Sequence, residues 1–191
     1  MKKIILIAAC LPLFLVAAPA VADPILVVTP AATEVVVGST VDVTVSITGL
    51  MGEGVGDYDL ALFFNEDVLD FLNVDFFTFL DGPADSLQFF FDFFGEVDVV
   101  EISFGFLFGQ DGLSSFDLFT VSFDVVDVGV SSLDLGVFAI GDFFGFPLNA
   151  GVQNSSVTAV AATTVPEPGT IGLFALGLFG LLLSRRRLPL R

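Results

Sequence analysis

Three short segments carry residues whose types and spacing suit chemistry, and none of them is a catalytic constellation. Near the C-terminus, Pro166, Glu167 and Pro168 set one carboxylate between two prolines. Proline restricts the backbone and donates no hydrogen bond, so this stretch stays extended and open to a processing enzyme. Thirteen apolar or glycine residues follow from Ile171 to Leu183, and Ser184-Arg185-Arg186-Arg187 closes the run. A transmembrane helix over 169–184 spans a hydrocarbon core of about 30 Å only marginally. The basic tail 185–191, with Arg185, Arg186 and Arg187 as its stop, holds the far flank in the cytoplasm. At the other end, Met1-Lys2-Lys3, the apolar stretch Ile4 to Ala18, and the small residues Ala20 and Ala22 before Asp23 follow the order of a signal peptide over 1–22. The mature chain then begins at Asp23. The third segment holds Asp57 and Asp59, two apart on one strand face, with Glu66, Asp67 and Asp70 near the next turn. Such oxygen ligands could converge on calcium. A solvated acidic face is the favoured account of them, since no spacing reproduces the twelve-residue calcium loop.

Charge is sorted along the chain. No lysine, arginine or histidine occurs from Ile4 to Ser184, and all twenty-three acidic residues lie between Asp23 and Glu167. Nucleic acid and anionic lipid are excluded as partners of the exported part, because phosphate binding needs cations to displace counterions. The same inventory removes the commonest general bases and the partners of a nucleophilic serine. Carboxylate pairs remain, as in glycoside hydrolysis, but acids are spread evenly and none stands out. The expectation is a non-enzyme with no resident cofactor, calcium apart.

Other patterns have plainer accounts. Ile7-Ala8-Ala9-Cys10 fits a loose lipoprotein box, yet only six residues separate Lys3 from Cys10 and the apolar run continues past it. Without Cys10 the mature chain has no cysteine, hence no disulfide. Gly52-Glu53-Gly54-Val55-Gly56 reads as a turn, lacking the third glycine and the helix of a dinucleotide fingerprint. Asn154-Ser155-Ser156 is a glycosylation sequon by pattern alone. Ala161 to Thr164 reads as a short linker.

The elements that must position these groups are strands. Val41, Val43, Val45 and Ile47 alternate with polar residues, as do Tyr58, Leu60, Leu62 and Phe64; Val100, Ile102, Phe104, Phe106 and Phe108; and Phe119, Val121, Phe123 and Val125. Further strands are expected over Ile25–Thr29, Glu34–Val37, Phe71–Val74, Gln88–Phe94, Leu133–Ile140 and Ser155–Val160. Turn chemistry such as Asp81-Gly82-Pro83 and Asp111-Gly112 separates them. The fold class is all-β: a jelly-roll β-sandwich of about nine strands over 23–160, followed by a linker at 161–164 and the tail 165–191. Phe89-Phe90-Phe91 and Phe93-Phe94 read as core or inter-sheet packing.

The ordered tail resembles the PEP-CTERM sorting signal of exopolysaccharide-producing Gram-negative bacteria. A Leu-Pro-x-Thr-Gly box of the Gram-positive kind is absent. The resemblance implies an exosortase-type transpeptidase acting near Pro166 to Pro168, after an inner-membrane intermediate facing the periplasm, with the product ending at the cell surface or outside. The stretch Val55 to Val74, with Val36 to Val41 and Leu118 to Val128, resembles cohesin-like domains across Ile25 to Val160. Glu66 stands where that family usually has proline after the first turn residue. This resemblance implies a non-enzymatic interaction module, binding another surface protein. The alternative is a carbohydrate-binding module for exopolysaccharide, against which stands the absence of tryptophan, with Tyr58 the sole tyrosine.

Overall fold

The computed structural model describes residues 23–80, 85–105, 108–162 and 170–185. Eleven strands occur among them: β1 (Ile25–Pro30), β2 (Glu34–Val36), β3 (Thr40–Thr48), β4 (Asp57–Phe63), β5 (Leu69–Phe76), β6 (Ser86–Phe93), β7 (Glu96–Ser103), β8 (Ser115–Val125), β9 (Gly129–Gly141), β10 (Gly151–Gln153) and β11 (Ser155–Val160). They form one five-stranded sheet, ordered β10-β1-β3-β8-β5, and one six-stranded sheet, ordered β2-β11-β9-β4-β7-β6. The architecture is the expected jelly-roll sandwich. The strand total exceeds the expectation because β10, a three-residue strand pairing in parallel with β1, carries no alternation to reveal it.

Each sheet turns one apolar row inward. From the five-stranded sheet come Leu26 and Val28, the row Val41, Val43, Val45 and Ile47, and the row Phe119, Val121, Phe123 and Val125. From the other come Tyr58, Leu60 and Leu62, then Val97 and Val99, Leu133 and Leu135, and Val157. Aromatic rings tie the layers: Tyr58 stacks on Phe119 with centroids 5.8 Å apart, and Phe64 tilts against Phe123 at 4.8 Å. The core cluster is drawn wholly from residues between Leu26 and Ala159. The sandwich thus contains its own folding core, and truncating one of its leucines to alanine costs about 2–5 kcal/mol.

The strand expected from Val100 to Phe108 is corrected by the structure. β7 runs from Glu96 to Ser103, and a 3₁₀ turn occupies Phe108–Gln110. Its inward residues are Val97, Val99 and Glu101, while Val100 and Ile102 face outward. The alternation was real but its faces are reversed, because the register against β4 sets Glu101 opposite the inward Tyr58. The phenylalanine run is corrected too: Phe90, Phe91 and Phe93 are 39%, 52% and 54% exposed, and Phe94 is 96% exposed. The reason is position, since β6 ends the six-stranded sheet and only one of its faces can meet the opposite layer. The turn at Asp81-Gly82-Pro83 lies outside the described residues, apart from its neighbours at Leu80 and Asp85.

Two glycines are demanded by geometry. Gly95, in the two-residue turn joining β6 to β7, has φ +74° and its carbonyl accepts the Phe64 N–H at 2.9 Å. A side chain there is strained in that left-handed conformation. Gly136 of β9 lies under the Phe63 ring, which a Cβ would approach to 3.0 Å.

One helix, α1 (Thr170–Arg185), stands near the C-terminus. Its exposed residues include Leu173, Phe174, Leu176, Phe179 and Leu182, so apolar side chains cover it all round. Sixteen residues rise about 24 Å. The transmembrane helix expected over 169–184 is therefore present as a helix but short, and no helix among the described residues is long and apolar enough to cross a membrane.

The sandwich holds twenty-two of the twenty-three acids and no basic side chain, so its folded state concentrates like charge. Raising NaCl from about 0.02 M to about 0.5 M, which shortens the screening length from roughly 20 Å to a few Å, is expected to raise the melting temperature of a 23–162 fragment. Differential scanning calorimetry checks this; an unchanged or lower Tm refutes the role of repulsion.

Candidate functional site

The outer face of the six-stranded sheet is where side chains are least explained by packing. On β4 it carries Asp57, Asp59, Ala61 and Phe63; on β7, Glu96, Asp98, Val100 and Ile102; and on β6, Leu87, Phe89, Phe91 and Phe93. The register aligns Phe63 with Glu96, Ala61 with Asp98 and Asp59 with Val100, then Val100 with Phe89 and Asp98 with Phe91. Along β6 the rings form a row: Phe89 meets Phe91 edge-on at 5.6 Å, and Phe91 stacks on Phe93 at 6.4 Å and 27°. An apolar edge therefore adjoins a central row of carboxylates.

Those carboxylates crowd one another. Asp59 has its pKa raised, first by loss of solvent and then by Asp98 across the β4–β7 pair. Glu96 is raised by desolvation, by the Asp98 charge and by a hydrogen bond with that carboxyl. One oxygen of Asp98 is buried with no hydrogen-bond partner. Asp57 is raised by desolvation and then by Asp142. Its carboxylate lies over Gly141, where a Cβ would come within 2.6 Å of an oxygen. Asp57 and Asp59 thus share the outer face, as their spacing implied, but each has a different acidic neighbour. Among the described residues no group of three or more candidate ligands is arranged to hold a metal ion. The two aspartates do not by themselves make a calcium centre.

Beneath this face lies a polar group that sequence reasoning placed outside. Glu101 is fully buried. It accepts hydrogen bonds from the Tyr58 hydroxyl at 2.9 Å, the Ser86 hydroxyl at 2.9 Å and the Gln88 amide at 2.7 Å. Burial and the adjacent Glu101 push the Tyr58 hydroxyl well above its usual range. Three neutral donors do the work that a salt bridge would do in a chain with cations, and they lock β6 to β7 and β4. The signal available was the alternation of Ser86 and Gln88 with apolar residues on β6. Gln110 is likewise buried: its side chain accepts from the Val55 N–H at 2.7 Å and donates to the Val55 carbonyl at 2.8 Å. No local pattern marks it.

At the β6–β7 turn a cleft of about 490 Å³ is lined by Phe64, Glu66, Asp67, Asp70, Phe93 and Phe94, among others. Asn154 of the sequon has its side chain engaged, donating to Asp134 at 2.8 Å and accepting from the Leu135 N–H at 3.0 Å. The sorting residues Pro166, Glu167 and Pro168, the stop residues Arg186 and Arg187, and Ala20 and Ala22 lie outside the described residues. Arg185 ends α1, and Asp23 opens the described chain two residues before β1.

Residues 164–187 match the PEP-CTERM protein-sorting motif. The tail is a PEP-CTERM sorting signal. In fold, the chain is similar to a non-cellulosomal cohesin from the archaeon Archaeoglobus fulgidus, with a TM-score of 0.58 and 21% identity, covering 73% of this chain and 92% of that one. It is similar to the seventh ScaB type I cohesin of Pseudobacteroides cellulosolvens at TM-score 0.59 and 16% identity, covering 76% and 97%. A cohesin crystallised with its dockerin, from Clostridium thermocellum, matches at TM-score 0.59 and 15% identity, covering 76% and 99%. No curated protein matches the chain in sequence. The chain therefore combines a PEP-CTERM sorting motif at 164–187 with a sandwich of cohesin-like fold, and the likeness at these identities concerns the fold alone.

The crowded carboxylates set a pH dependence. A raised folded-state pKa means that the folded state holds more protons than the unfolded chain just above the ordinary carboxylate range, so stability rises as pH falls into that window and is lost as pH climbs out of it. Thermal melts of the 23–162 fragment are expected to show a higher Tm near pH 5 than near pH 7. Asp98→Asn, which removes the like charge shared by Asp59 and Glu96, raises the Tm at pH 7 and flattens the profile. A Tm that falls between pH 7 and pH 5 contradicts the assignment.

Proposed function

We propose that the chain is an exported, non-enzymatic protein-binding module of a bacterial envelope or extracellular matrix, delivered by its PEP-CTERM tail. The observation that carries this reading is the outer face of the six-stranded sheet. Exposed phenylalanines border carboxylates for which the domain supplies no cation. A partner surface with lysine or arginine among apolar groups would relieve the carboxylate crowding and cover the rings. The cohesin fold supports the reading, since neighbours of that fold include one crystallised with a dockerin. No dockerin is thereby assigned to this chain.

Sorting follows from the physical order of the tail. The signal peptide over 1–22 exports the chain, and the short helix then lodges in the inner membrane with Arg185 to Arg187 on the cytoplasmic side. A helix of this length is accommodated by local bilayer thinning and by arginine side chains reaching back to the headgroups. An exosortase-type transpeptidase then acts near Pro166 to Pro168 and releases the sandwich from its anchor. Replacing Pro166, Glu167 and Pro168 by alanine is expected to leave export intact and to retain the protein in the inner membrane, tail attached. Mass spectrometry of the C-terminal peptide from the native host reads the outcome, and wild-type processing of the triple variant sinks the motif's role.

The second reading is a sugar platform for exopolysaccharide, favoured by the stacked Phe91 and Phe93 rings. Phenylalanine lacks the polar handle that sugar platforms favour. Immobilised 23–162 fragment is expected to retain a protease-sensitive component of the host's extracellular fraction. That retention weakens with salt and falls at least about tenfold in Asp59→Lys, the loss of about 1.4 kcal/mol. Retention of purified exopolysaccharide that is insensitive to salt and to Asp59→Lys selects the sugar reading instead.

A further inference from the structure

The four open edges of the sandwich are not alike. β2 and β10 are three residues long, too short to template another strand. β5 is eight residues long, but its pairing with β8 shifts register between Phe71 and Asn73, and it carries Asp70, Asn73 and Asp75. Short strands, bulges and charges are the devices by which natural sheets blunt an edge. β6 has neither a short span nor a bulge and carries a single charge: it pairs with β7 through eight residues without a register shift, and among those residues only Asp92 is charged. Among the described residues β6 has no strand on its other side.

The direction of its free backbone groups follows from the hydrogen bonds. The Phe104 N–H donates to the Asp85 carbonyl, in line with the pairing of Leu87 with Ile102. Backbone groups alternate sides along an antiparallel strand, so Leu87, Phe89, Phe91 and Phe93 bond toward β7, and Gln88, Phe90 and Asp92 point theirs to the open edge.

We propose that β6 pairs antiparallel with β6 of a second copy about a two-fold axis at Phe90, joining two six-stranded sheets edge to edge. In this register Phe90 faces its own symmetry mate, and Gln88 faces Asp92 of the other copy. The outward groups of these three residues form three mutually hydrogen-bonded pairs. The remaining side chains are complementary: the Gln88 amide, which gives one N–H to Glu101, keeps its other N–H for the single carboxylate, Phe89 meets Phe91 across the axis, and Leu87 meets Phe93. Shifting the axis to Asp92 opposes two like charges, which disfavours that register. The occupant is a second copy because the strand matches itself in length, polarity and charge, whereas the rest of the surface carries unpaired acids that repel a like chain. This pairing does not rest on the partner-binding reading, since its backbone bonds use the strand edge, although Phe89, Phe91 and Phe93 belong to both surfaces.

The test uses sedimentation velocity on the 23–162 fragment, whose core is self-contained, at about 0.5 M NaCl to screen repulsion. Wild type is expected to show a concentration-dependent dimer. Asp92→Pro removes an N–H that no strand of the monomer uses, so it leaves the far-ultraviolet circular dichroism intact and abolishes the dimer. Asp92→Asn keeps that N–H and dimerises as well as wild type or better. A wild type that stays monomeric up to about 1 mM overturns the proposal, as does equal dimerisation of Asp92→Pro, or loss of the dimer in Asp92→Asn. Should Asp92→Pro misfold, a spin label at Leu87→Cys decides, because the fragment has no other cysteine. The register sets the two labelled positions six residues apart along the strands, about 20 Å, and a clearly different distance refutes it.

Discussion

The sandwich has to fold without a single internal counter-ion. Between Ile4 and Ser184 every charged side chain is acidic, so neither salt bridges nor cation–π contacts are available to the domain. What remains is apolar burial, backbone pairing and neutral hydrogen bonds, and each feature of the structure follows from that restriction. Among the described residues, acids lie at outward positions of the strands, in turns, or, for Asp92, at the exposed edge strand β6. The buried exception, Glu101, is held by a tyrosine, a serine and a glutamine. Placing a carboxylate inside is costly unless every lone pair is met, and a lone arginine would otherwise be the usual partner. Here the donors come from the two strands that flank Glu101, so satisfying the charge also fixes the relative register of β4, β7 and β6.

The same restriction explains why so much phenylalanine lies outside. A two-layer sandwich of this size closes over one core, and its two facing rows are already filled by valine, leucine and a few rings. The chain has twenty-four phenylalanines, more than one core accepts. Part of the surplus is gathered, because β6 alone places Phe89, Phe91 and Phe93 on one face. An apolar row beside a carboxylate row is stable for a monomer in water only because the charges keep it soluble. Charge and apolar surface thus lie on adjacent strands of one face.

Much of this was legible in the sequence, and the failures have a common physical origin. The alternations of β3, β4 and β8 identify both the strands and their buried faces, since those strands are central and one side of each must be apolar. β7 shows the limit. Its row of Val100 and Ile102 looked inward by hydrophobicity, yet pairing with β4 turned Glu101 in, and pairing partners are not visible from one strand's composition. β6 shows it again, because a central and an edge strand of equal apolarity differ only in their neighbours. The bulge in β9 near Phe138, where pairing with β4 slips between Asp59 and Leu60, is equally silent in the sequence. The acidic crowding of Asp59, Asp98 and Glu96 is a cross-strand property and needed the register to appear. The tail lies at the opposite extreme, for its order of prolines, apolar run and arginines is linear and needs no tertiary context.

The segregation of charge also orders the protein in space. An anionic leaflet attracts the lysines and arginines at the two chain ends and repels a domain whose surface is acidic throughout. The sequence between Val160 and α1 includes the proline pair, whose rings donate no backbone hydrogen bond. On the sorting route proposed above, repulsion from an anionic leaflet would keep the acidic sandwich off the lipid, whereas a basic patch on the domain would draw it down over the sorting segment. The absence of cations, which constrains the fold, would on that route also keep the sorting segment accessible.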